Sequence, residues 1–81
     1  MPDPESDALE QAVAAIERYL AQHPTAADSE QGIAQWWLPA MGVDAPLDRV
    51  VGALERLRER GRIERATLPG GQAIWLRAAA H

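Results

Sequence analysis

Residues 47–77 read LDRVVGALERLRERGRIERATLPGGQAIWLR, and this run constrains the fold more than any other part of the chain. Leu47, Val50, Val51, Leu54 and Leu57 recur at the spacing of one helix face. They predict a helix capped at Asp44, with Pro46 tolerated in its first turn, running to about Arg60. Gly61 then supplies a left-handed stop. Arg62–Leu68 and Gln72–Arg77 flank Pro69-Gly70-Gly71, which punctuates a β-hairpin.

The preceding residues supply apolar partners for that helix. Residues 1–6 carry two prolines and few apolar groups, and they read as a frayed lead-in. Asp7 and Glu10 form a D-x-x-E capping box, and Leu9, Val13, Ile16 and Leu20 give the helix that follows one buried stripe, with Tyr19 at its border. Pro24 ends it. A second box, Asp28 and Gln31, opens a helix over about residues 29–38 that turns Ile33, Ala34, Trp37 and Leu38 inward and stops at Pro39. Gly32 lies inside this helix and weakens it by roughly 1 kcal/mol relative to alanine, which points to close approach by another helix. Met41 and Val43 plug the core from the connection that follows. In the hairpin, Ile63, Ile74 and Leu76 are the core candidates, and alternation sends Trp75 to the opposite face.

With this order on the page, RVVGALERLRERGRIERATLPGGQAIWLR resembles the recognition helix and wing of the winged helix-turn-helix superfamily. The resemblance spans about residues 7–78, leaving 1–6 as lead-in and 79–81 as a tail. It implies a small α+β winged helix with a three-helix core and a C-terminal two-stranded β-hairpin wing. Thr25-Ala26-Ala27 would then occupy a slot that often holds a minimal strand beside the wing. Members of the superfamily mostly bind DNA through the third helix and the wing, and a sizeable minority bind proteins, so the resemblance leaves function open.

Charge is unevenly divided. Residues 1–48 hold one base, Arg18, against nine acids, a net of −8; residues 49–81 hold seven arginines against three acids, a net of +4. Such asymmetry suits a polyanion or an acidic partner, although arginine is also simply the only base this lysine-free chain uses. At 100° per residue, Arg49, Ala53, Arg56 and Arg60 form one exposed edge of the third helix, while Asp48, Glu55 and Glu59 form the other. Arg58 sits near the core side and snorkels outward. The first edge, with Arg62 and Arg65 of the following strand, offers guanidinium forks suited to phosphate. Local pairs such as Arg56–Glu59 and Glu55–Arg58 would instead make it an ordinary solvated face. Against DNA stand the acidic edge, the lack of Asn or Gln in the helix's first turn, and the uncharged wing tip LPGGQ.

Three tryptophans and no phenylalanine complete the picture. Trp36 and Trp37 diverge on a helix, so with Trp37 inside, Trp36 is at least partly exposed; Trp36 or Trp75 is a candidate aromatic anchor for another protein, unless flanking side chains and the N-terminal segment cover these rings. No catalytic constellation, cofactor motif or small-molecule site is evident. There is no cysteine, and neither His23 nor His81 has carboxylates at ligand spacing, so no metal is expected. The acidic, proline-bearing N-terminus and the lack of a long apolar run predict a cytoplasmic protein with no membrane association. The expectation is a non-catalytic binding module, a small regulatory or accessory protein, contacting a protein partner or a second copy through Trp36, Arg49, Arg56, Arg60, Arg62, Arg65 and Trp75. The alternative is a DNA-binding transcription regulator with weak, salt-sensitive phosphate contacts from the same arginines.

Overall fold

The computed structural model describes residues 4–78, so the expectations for residues 1–3 and for a tail at 79–81 lie outside the described residues. The elements are α1 (Pro4–Gln22), β1 (Ala27–Asp28), α2 (residues 30–40), α3 (Leu47–Glu59), β2 (Ile63–Thr67) and β3 (Ala73–Arg77). Together they make an α+β domain of three helices and one antiparallel sheet in the order β1-β3-β2.

The sheet has three strands rather than two. Ala27 pairs with Leu76 and Asp28 with Trp75, so β1 ties the α1–α2 connection to the C-terminal hairpin. Both hairpin strands are a little shorter than their sequence signals, and Leu68 and Gly71 close the turn through a 2.8 Å N–H···O bond from Gly71 to Leu68.

Helix starts differ from expectation in each case. α1 runs back to Pro4, so Asp7 and Glu10 lie inside the helix and form no cap; a proline suits a first helical position because it lacks an N–H that would go unpaired there. α2 is capped by Ser29, whose Oγ accepts from the Gly32 amide at 3.2 Å, while the Asp28 carboxylate accepts from the Ser29 amide at 2.7 Å. A Cβ on Gly32 would collide with that carboxylate, so the close neighbour is the Asp28 side chain and not another helix. α3 is preceded by Pro46, whose carbonyl accepts from Arg49 and Val50, and Asp44 provides no cap.

α2 also passes through Pro39 and ends at Ala40. Over Ile33–Trp37 it widens into a π turn, with the Leu38 amide donating to the Ile33 carbonyl. A proline ring clashes with the carbonyl four residues back in a regular helix, and a widened turn immediately before it relieves that clash. The helix stops instead at Gly42. There, as at Gly61, a positive φ (76° and 72°) lets the next amide fold back five residues: Val43 donates to Leu38 and Arg62 to Leu57, both at 2.9 Å.

The core lies between the helices and one sheet face, with Ile16, Ile33, Leu38, Val50, Leu54, Leu57, Ile63 and Trp75 buried. Ile63 pairs with Arg77 and Arg65 with Trp75, so Ile63 and Trp75 share the core-facing side of the sheet. Ile74 and Leu76 therefore occupy the outer face with Ala66 and Ala27, half-buried, in place of the core role expected of them. On α3, Ala53 is buried instead of exposed, and Leu47 is exposed instead of buried.

Candidate functional site

Of the three tryptophans, Trp36 alone offers its ring to solvent. It lies on α2 with 67% of its surface exposed, the largest exposed hydrophobic side chain among the described residues, while Leu47 at the start of α3 and Leu68 at the hairpin turn are also exposed. Its neighbour Trp37 is buried and stacks on Tyr19 of α1 at 4.7 Å between ring centroids. That stack fixes the rotation of α2 against α1, and the roughly 100° between adjacent helical residues then turns Trp36 outward. Gln31, Gln35, Pro39 and Ala40 of the same helix are also exposed.

Trp75 is fully buried, and it is therefore not an anchor for a partner. Strand alternation placed it opposite Ile74 and Leu76 as expected, but the core side of the strand belongs to Trp75. Its indole N–H has no hydrogen-bond partner among the described residues. The large ring fills the space between sheet and helices that the smaller Ile74 and Leu76 would leave partly empty.

The arginine edge of α3 is not a row of unpaired cations. Arg56 Nη1 lies 2.6 Å from the Glu10 carboxylate and Arg60 Nη2 lies 3.5 Å from the same oxygen. One acid of α1 thus holds two of the arginines expected to meet a partner, and Arg56 pairs across the helix interface, not with Glu59. The Arg56 hydrogen bond, assisted by the charges of Arg60 and Arg56, holds the Glu10 carboxyl below the ordinary glutamate range despite an opposing desolvation cost. Arg58 pairs with Glu55 at 3.8 Å, the local pair its spacing suggested. Burial of Ala53 explains the geometry: this edge of α3 packs on α1, and the arginines wrap around the seam.

Arg49, Arg62 and Arg65 have no ion-pair partner among the described residues. Arg49 is half-buried in the first turn of α3; Arg62 follows Gly61 and Arg65 lies on β2, both exposed. The structure thus separates the seven expected contacts. Trp36 sits on α2, Arg49 lies in the first turn of α3, Arg56 and Arg60 are tied to α1, Arg62 and Arg65 flank the start of β2, and Trp75 is interior.

Sequence reading missed Glu10 as a structural counter-ion, and it missed Glu17 and Arg77, which with Arg62 line a hollow between α1 and the sheet. A signal was present: Glu10 and Glu17 are seven residues apart and flank the same side of the Leu9, Val13, Ile16, Leu20 stripe, so both border whatever packs on it. Among the described residues no group of His, Cys, Asp and Glu gathers as a metal site, and no helix is long and apolar enough to cross a membrane. No protein family, curated protein or solved structure matches the chain.

Proposed function

We propose that the chain is a non-catalytic binding module of winged-helix type that engages a protein partner, with Trp36 as its anchor. The observation that carries this reading is an aromatic ring 67% exposed on a well-packed helix, while two arginines of the α3 edge, Arg56 and Arg60, are already engaged by Glu10. An exposed indole buries a large apolar area at small entropic cost, which is why tryptophan is enriched at binding hot spots. The order helix, short strand, helix, helix, strand, strand supports the winged-helix assignment. A second copy of the chain is included among protein partners.

The reading is tested by comparing wild type with Trp36→Ala as bait, at matched salt, and by sedimentation for self-association. A partner retained by the wild type and lost by the variant, or a dimer that dissociates in the variant, supports it. Equal retention of every partner by both proteins, together with identical sedimentation, contradicts it.

A second reading, duplex DNA binding, is favoured by Arg49, Arg62 and Arg65, which carry no ion pair among the described residues. Three phosphate contacts would give only weak affinity that falls steeply with salt, with a log–log slope of about −2.7.

A further inference from the structure

Between α1, the end of α3 and the sheet lies a hollow of about 370 Å³, open to solvent along one side. Its floor is apolar, made by Leu20, Leu57 and Ile63, all buried core residues. Its rim is charged. Arg62 and Arg77 stand on the strand side, and Glu17 stands on the α1 side. The two arginines are held together by the backbone, since Ile63 pairs with Arg77 and the Ala78 amide donates to the Arg62 carbonyl at 3.1 Å. Neither guanidinium has an ion-pair partner among the described residues.

We propose that this hollow is a docking site for a peptide segment of a partner protein, in which an apolar side chain enters the floor and a neighbouring Asp or Glu lies against Arg62 and Arg77. Two arginines on one rim of a hollow with an apolar floor complement a carboxylate next to an apolar group. Glu17 sets the direction: the acidic residue lies toward the strands, and the segment leaves past α1 through an uncharged or basic residue. The open side favours a peptide over a small molecule. A small ligand site encloses about 70–90% of its occupant, whereas a segment anchored by one side chain is held further by the residues that continue outside. The inference rests on the reading of the chain as a protein-binding module, but on residues distinct from Trp36.

The test is selection of a random-peptide phage library on the wild-type domain, followed by fluorescence-polarisation titration of the enriched peptides as synthetic probes. Enriched sequences are expected to carry Asp or Glu within two or so residues of an aliphatic or aromatic side chain. Arg62→Glu combined with Arg77→Glu is expected to weaken them about tenfold, and Glu17→Lys to strengthen them about threefold. Both positions are exposed, and Arg62→Gln with Arg77→Gln provides the milder pair should charge reversal disturb the hairpin. No enrichment, enrichment of basic peptides, or acidic peptides that bind the double variants unchanged would overturn the proposal. Peptides that lose affinity on Trp36→Ala but not on the arginine variants would overturn it while supporting the Trp36 reading; the converse pattern would support the hollow and count against Trp36.

Discussion

Trp36 and Trp75 have the same side chain and opposite roles, and burial alone separates them. Trp75 fills the centre of the core, so Trp75→Ala is expected to cost about 3–5 kcal/mol through lost burial and a cavity. Trp36→Ala removes a ring that is mostly in water and is expected to change stability by less than about 0.5 kcal/mol. Denaturant unfolding of the two variants checks the pair, and comparable losses would mean that Trp36 is a packing residue. Gly32 poses a second problem at this scale. Its missing Cβ leaves space for the Asp28 carboxylate that receives the Ser29 amide. Gly32→Ala is therefore expected to destabilise by roughly 1–2 kcal/mol although alanine is the better helix former. In the Asp28→Ala background the same substitution should become neutral or stabilising. A double-mutant cycle without coupling would show that the carboxylate is not what excludes the side chain.

At the scale of elements, the α1–α3 seam determines which charges are available. Ala12 and Ala53 are buried along it, and Glu10 bridges it to Arg56 and Arg60. These side chains are roughly half exposed, so the ion pairs add little to stability at neutral pH. Their effect is on titration. Because the folded state holds the Glu10 carboxyl below its ordinary value, its contribution is present above the ordinary glutamate range and is lost as pH falls through the lowered value. Glu10→Gln should accordingly show a shallower loss of thermal stability than wild type on acidification below that range, with the two curves parallel above it. Identical acid limbs would mean that the contact does not persist in solution. The seam also explains what the sequence could not display. The period of α3 identified Val50, Leu54 and Leu57 as inward, but an alanine and two arginines next to that stripe look alike whether they border solvent or another helix. Only the partner helix decides, and its contribution, Glu10, resembled a capping residue.

For the whole molecule, element order and type were legible because each rested on local chemistry: the apolar period of each helix, Gly61 as a stop, and the Pro-Gly-Gly turn. What was not legible depended on pairing between distant residues. A minimal strand was expected at residues 25–27 and lies at Ala27–Asp28, but its partner β3 and its register were not legible, and the facing of Trp75 follows from the Ile63–Arg77 register. The π turn that carries α2 through Pro39 likewise replaced an expected stop with a continuous helix. Of the candidate contacts, Trp36 was correctly placed outside by its divergence from Trp37, whereas the arginine edge lost two members to α1 and the hairpin lost its tryptophan to the core.

The protein-binding proposal implies that α3 does not hold a phosphate backbone. It is tested most directly by titrating random-sequence duplex DNA with the wild-type domain across salt concentrations. No saturable binding is expected even near 50 mM salt, because the arginines without ion pairs are few and an acidic edge faces outward beside them. Saturable binding at that salt, with an affinity that falls as salt rises, would contradict it.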